Sequence, residues 1–124
     1  MNRLQARFEE LQASGRKGFI PFVTAGDPTL ETSLATVKIL ADSGADVIEL
    51  GVPFSDPMAD GPTIQRSSQR ALANGTRLSD VLELARDFRK SCDVPLVLFS
   101  YLNPLYSYGI EKLANDAADA GIDR

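Results

Sequence analysis

The chain has 124 residues, with 13 Lys and Arg against 17 Asp and Glu for a net charge of −4, and 44% of it is hydrophobic; that suits a single domain, residues 1–124, burying roughly two-thirds of its unfolded surface. A pI of about 4.7 leaves no basic footprint for nucleic acid or an anionic membrane. No histidine and only one cysteine, Cys92, exclude histidine-dependent nucleophile triads, histidine or multi-cysteine metal sites and an internal disulfide.

Met1 to Arg7 lacks the apolar run of a signal peptide, and no apolar run reaches about 18 residues. A cytoplasmic protein is expected, and a reduced Cys92 fits that compartment. Leu4, Phe8 and Leu11 fall on one helical face, so residues 2–13 read as an amphipathic helix ending near Gly15. Phe19-Ile20-Pro21-Phe22-Val23 reads as a strand weakened by Pro21, which donates no ladder hydrogen bond. Asp27-Pro28 resembles an N-cap followed by a first helical proline, and Leu34, Val37, Leu40 and Ala41 then keep helical spacing up to Gly44. Val47–Leu50 is a second strand, followed by a Pro/Asp/Gly-rich loop from Val52 to Pro62. Residues 63–73 and 78–90 read as helices broken at Asn74-Gly75, Val94–Phe99 as a third strand, and residues 110–120 as a last helix ending at Gly121.

Strands that are short, nearly continuous apolar runs alternating with helices indicate an α/β fold: a parallel sheet of three βα units. The GxGxxG and GxxxxGK[ST] phosphate loops are absent. Ala41-Asp42-Ser43-Gly44-Ala45-Asp46 recurs as Ala118-Asp119-Ala120-Gly121-Ile122-Asp123. The first copy leads directly into a strand, so a fourth strand is expected beyond Arg124 and the chain reads as truncated.

Any general acid or base here must be a carboxylate, lysine, tyrosine or Cys92. Glu49 is the foremost candidate, because strand alternation places Val47, Glu49 and Gly51 on one face and Ile48 and Leu50 on the other. Helices covering Ile48 and Leu50 would leave Glu49 facing a barrel interior or cleft, near the C-terminal strand end where parallel α/β folds build active sites. A carboxylate desolvated among apolar groups exchanges protons near neutral pH. The alternative is a structural carboxylate, paired with a lysine or arginine or accepting loop amide bonds, yet no basic residue lies between Lys38 and Arg66 to serve as a local partner. The loop Pro53-Phe54-Ser55-Asp56-Pro57-Met58-Ala59-Asp60-Gly61-Pro62 adds Asp60 beside that strand; by itself it equally reads as an Asp-capped turn before a helix.

The string Ile48-Glu49-Leu50-Gly51-Val52-Pro53-Phe54-Ser55-Asp56-Pro57-Met58-Ala59-Asp60-Gly61 closely resembles the signature of the tryptophan synthase alpha subunit family. Phe19 to Pro28, Gly61-Pro62-Thr63-Ile64-Gln65 and Tyr108-Gly109-Ile110 agree with it, so the resemblance spans essentially the whole chain. It implies part of a (βα)8 TIM barrel that cleaves indole-3-glycerol phosphate to indole and glyceraldehyde 3-phosphate, with no metal or cofactor. By resemblance, Glu49 is the catalytic acid/base and Asp60 the carboxylate that holds the indole N–H. Phe22, Phe99 and Tyr101 match residues lining the indole pocket, although each also suits plain core. Pro53, Asp56, Pro57, Asn103 and Pro104 resemble the surface that meets the beta subunit.

Such barrels run to about 250 residues and hold phosphate through loops after strands 7 and 8, which this chain does not include. The isolated chain is therefore expected to be inactive, and the competing expectation is an inert, self-associating folding module. A Schiff-base aldolase barrel is disfavoured because no lysine falls in a strand. A chain ending at Arg124 is expected to expose two sheet edges and an inner face containing Phe22, Val47 and Phe99. The expected relief is repacking of helices as an open α/β sandwich or, preferentially, a homo-oligomer joined along the edge away from Pro21.

Overall fold

Apolar runs too short for helices pair as a parallel sheet, and the amphipathic stretches between them pack on it. The computed structural model describes residues 2–124. In chain order the elements are α1 (Arg3–Ser14), β1 (Phe22–Thr24), α2 (Leu30–Asp42), β2 (Ile48–Gly51), α3 (Pro62–Ala73), α4 (Leu78–Arg89), β3 (Leu96–Phe99), α5 (Leu102–Tyr108) and α6 (Ile110–Asp119). The sheet is parallel, in the order β1-β2-β3.

The helix limits follow local chemistry. Asn2 accepts the Gln5 N–H to start α1, and Gly15, at φ 66°, ends it with its N–H on the Gln12 carbonyl. Thr29, not Asp27, caps α2 by accepting the Thr32 N–H. Asp27 is taken instead by Arg70, whose Nε and Nη2 donate to its two carboxylate oxygens at 2.7 and 2.9 Å. A forked charge-assisted pair of this kind outcompetes a single cap bond. The seven-residue α5 has no counterpart in the predicted elements: it is too short to show a helical period, and Pro104 in its first turn mimics a loop signal.

Strand β1 is shorter than the expected Phe19–Val23. The residues before Phe22 meet β2 through their carbonyls, Phe19 accepting from Asp46 N and Pro21 from Glu49 N, both at 2.9 Å, while the Phe19 N–H goes to the Asp46 side chain and not to a strand carbonyl. With no proline N–H, a regular ladder starts only after Pro21.

The core lies between one sheet face and the helices. Ile48, Leu50 and Leu96 of the sheet, Val37 of α2, and Val81, Ala85 and Phe88 of α4 are all 0% exposed. The register puts Phe22, Glu49 and Val97 in one row of the opposite face, with Thr24, Gly51 and Phe99 in the next. That face is partly open. Phe22, Glu49 and Val97 are half-buried and Phe99 is exposed, so the helices have not repacked into an open sandwich. Their apolar stripes are already used against Ile48, Leu50 and Leu96.

Val47 differs from the expected open inner face, because it is only 2% exposed. It stands at the N-terminal end of β2 next to Asp46, where α1 closes the sheet. Arg7 of α1 approaches Asp46 at 3.6 Å, and Leu11 is buried against Gly18, where a Cβ would sit 3.1 Å from Leu11 Cδ1. The inward face of α1 is therefore Leu4, Arg7 and Leu11, while Phe8 stays exposed.

The repeated hexapeptide is one structural device used twice. Asp46 accepts the Phe19 N–H at 2.8 Å through its side chain and donates its own N–H to the Phe19 carbonyl. Asp123 accepts the Leu96 N–H at 2.9 Å and donates its N–H to the Leu96 carbonyl. Each aspartate ties a helix end to the strand before it, and α1 contacts both, through Arg7 to Asp46 and Arg3 to Asp123. Arg89 reinforces the second tie by donating to the Cys92, Val94 and Gly121 carbonyls and to Asp123. Burial, with Arg3 nearby, pulls the Arg89 pKa below its usual value. The outer edge of β3 is consequently not free as expected: Leu96 O and Leu98 N pair with Asp123 N and Arg124 O at 2.9 and 2.7 Å.

Candidate functional site

The C-terminal ends of the strands carry a cleft built around a missing side chain. Gly51 ends β2, and a Cβ there would lie 2.4 Å from the Phe22 ring. Only glycine lets Phe22 lean across β2. Phe22 then meets Phe99 of β3 edge to face, with ring centroids 5.6 Å apart and planes at 83°, a favourable quadrupole arrangement. These two rings, Gly51, Thr24, Asp60 and Tyr101 line one cleft.

Glu49 lies on the same sheet face, one row nearer the N-terminal end, between Phe22 and Val97 in register. It is half-buried and does not itself line the cleft. The ion pairs among the described residues all involve other carboxylates. The ion-pair alternative for Glu49 therefore has no partner on the described residues.

Asp60 reaches the cleft rim on the loop between β2 and α3. That loop is braced from two sides. The Tyr101 hydroxyl accepts the Ala59 N–H at 3.0 Å, and its ring packs on Phe54 at 5.2 Å between centroids. Gln65 Nε2 donates to the Asp60 carbonyl at 2.9 Å and the Pro57 carbonyl at 3.4 Å. Helix α3 is in turn fastened to β1. Ser67 gives its proton to the Ile64 carbonyl at 2.8 Å, so Thr24 donates in the 2.7 Å contact between the two hydroxyls. The Arg70–Asp27 fork and the Asn74 side chain donating to the Pro28 carbonyl extend the fastening. Gly26 fits under Thr76 with no room for a side chain, since a Cβ would lie 2.0 Å from Thr76 Oγ1.

The structure thus gathers Phe22, Phe99, Tyr101 and Asp60 at one cleft, with Glu49 on the same sheet face in the row of Phe22. Of the surface residues singled out in the sequence, Asp56 and Asn103 are exposed and Pro57 and Pro104 half-buried, beside exposed Met58 and Leu102. Pro53 is buried in this chain. Sequence reasoning missed the bracing by Gln65, Ser67 and Arg70. The available signal was spacing: a glutamine in the first turn after Gly61 can reach back to the loop it follows. Among the described residues no cluster of His, Cys, Asp and Glu is arranged to hold a metal ion, and no helix is long and apolar enough to cross a membrane.

Comparison with known proteins agrees with this architecture. A protein-family model described as tryptophan synthase alpha chain matches residues 8–124. The tryptophan synthase alpha chain of Pelobacter propionicus is 57% identical over 99% of this chain and 46% of its own length. That of Geobacter sulfurreducens is 54% identical over 99% of this chain and 47% of its own. The crystal structure of tryptophan synthase subunit alpha from Legionella pneumophila superposes with a TM-score of 0.97 at 48% identity, covering 99% of this chain and 47% of that one. The chain spans about half the length of the curated relatives it matches, and its three βα units correspond to part of their TIM barrel. The chain belongs to the tryptophan synthase alpha chain family.

Proposed function

We propose that a full-length alpha chain carrying this segment cleaves indole-3-glycerol phosphate into indole and glyceraldehyde 3-phosphate. The observation that carries this reading is the Phe22–Phe99 pair over Gly51, with Asp60 at the rim and Glu49 on the same sheet face. Aromatic walls suit a flat bicyclic ring. In the proposed step Glu49 delivers a proton to the ring carbon that bears the glycerol chain and takes one from the hydroxyl on the carbon attached to it. The carbon–carbon bond breaks, the hydroxyl carbon becomes the aldehyde, and the bond's electrons return to the ring. Asp60 accepts the indole N–H and stabilises the positive charge that develops on the ring. Phe22, Phe99 and Tyr101 orient the ring, and acid–base chemistry alone is called upon, without a cofactor.

Indole release from indole-3-glycerol phosphate by the full-length chain tests the reading. Asp60→Asn is expected to lower turnover about 10- to 100-fold, because the amide keeps one acceptor but loses the charge. Unchanged turnover and affinity in that variant would make the loop merely structural. The 124-residue chain alone is expected to release no measurable indole, since the substrate's phosphate then contributes no binding energy to orientation.

The beta subunit is the proposed partner, in a cytoplasmic assembly. Asp56, Met58, Leu102 and Asn103 border one groove of mixed polar and apolar character, the composition of a protein-binding rim and core. Handled as a 124-residue chain, the protein is expected to self-associate through the open face around Phe99, which is 51% exposed. A monomer by light scattering at tens of micromolar would contradict that.

A further inference from the structure

We infer that Gln65 is the positioning residue for Asp60, an inference that rests on the role of Asp60 proposed above. Among the described residues the turn from Pro57 to Asp60 is closed by one backbone bond, Asp60 N to the Pro57 carbonyl at 3.1 Å, with Met58 N donating to the Asp56 carbonyl at its entrance at 2.8 Å. Its tip is solvent-facing, with Met58 89% exposed. A turn of this kind has little of its own to hold one conformation. Gln65 supplies the missing constraint, because its Nε2 donates to the carbonyls at both ends of that turn, Pro57 and Asp60. An amide NH2 carries two donors and fits two converging carbonyls.

The anchor is itself rigid. The Gln65 backbone N–H donates to the Gly61 carbonyl at 3.0 Å, setting its place in the first turn of α3. Two turns of α3 are fastened to β1 and its following loop through Ser67–Thr24 and Arg70–Asp27. The position of Asp60 relative to Phe22 of β1 is therefore transmitted through α3 and delivered by the Gln65 side chain. Among the described residues the other side chain hydrogen-bonded to the turn is Tyr101, which binds the Ala59 N–H and fixes one point, not the rotation of the turn about it.

The experiment uses a full-length alpha chain carrying this segment. Gln65→Met keeps the length of the side chain and removes both donors. It is expected to lower kcat for indole release about 10- to 100-fold, since small misplacements of a catalytic group cost that much, while KM and the urea midpoint stay near those of the parent. Gln65→Glu presents acceptors to two carbonyls at about pH 8 and is expected to lose at least as much. Two facing carbonyl oxygens disfavour the charged carboxylate and raise its pKa above the usual value of about 4.3, so the variant's deficit relative to the parent should narrow toward about pH 5 as a protonated carboxyl regains one donor. A kcat in Gln65→Met within about twofold of the parent, or a fall matched by loss of folded protein, overturns the proposal. So does a Gln65→Glu deficit that is flat with pH. Amide exchange at Ala59 and Asp60 reads the turn without any chemistry: faster exchange in Gln65→Met at an unchanged urea midpoint supports the tie, and unchanged exchange overturns it. A parent chain that releases no indole, yet shows that acceleration on substitution, overturns the proposed function and leaves the tie standing.

Discussion

Glu49→Gln in a full-length alpha chain carrying this segment is expected to reduce indole release by about 1,000-fold or more, within the range proton transfer by a positioned side chain contributes. The substitution is nearly isosteric and removes the carboxylate's charge together with its ability to give and take a proton. Among the described residues no ion pair uses Glu49, and the side chain sits half-buried between Phe22 and Val97 in register. Its neighbours Ile48 and Leu50 hold the strand by burial on the opposite face. Circular dichroism and the urea midpoint should therefore match the parent while kcat falls. Turnover near that of the parent in a folded Glu49→Gln variant would remove Glu49 from the mechanism.

Phe88→Ala is expected to be the most damaging single change to stability, by about 3–5 kcal/mol. Phe88 is 0% exposed and heads the largest fully buried side chains, on the face of α4 shared with Val81, Leu82 and Ala85. Truncation loses the transfer energy of the ring and leaves a cavity that α2, α4 and the sheet cannot close without moving together. Against a domain stability of about 5–15 kcal/mol, that loss lowers the urea midpoint by roughly 2 M at an m-value near 2 kcal/mol/M. Phe8→Ala is the control. Phe8 is 46% exposed, and its loss should cost about 0.5 kcal/mol or less. Equal midpoints for the two variants would show that the core is not centred on α4.

Glu49 and Asp60 were legible as candidates because their signals are short-range: strand alternation gave Glu49 its face, and the loop motif placed Asp60 just beyond the strand. Gln65 was not legible in the same way. Its function depends on where the Asp60 carbonyl points, which is set by the loop's path and not by any period in the chain. Pro53 shows the same limit in reverse. A proline in an acidic loop reads as surface, yet it is buried, and with no N–H a proline leaves no donor unsatisfied there.

What the sequence by itself determined is the alternation of three short apolar runs with amphipathic helices, the glycine stops at Gly15, Gly44, Gly75 and Gly121, and the family. These are local properties, set by backbone sterics, side-chain period and motif spacing. Tertiary structure alone decided the rest. Arg7 and not Phe8 takes the inward place on α1, where it approaches Asp46 at 3.6 Å. Asp27 left its expected cap for Arg70, 43 positions away in sequence. Asp46 and Asp123, two copies of one repeated motif, became strand ties because each met the N–H of the preceding strand. Competition among hydrogen-bonding partners is settled by distance in space, and a linear pattern carries no record of it.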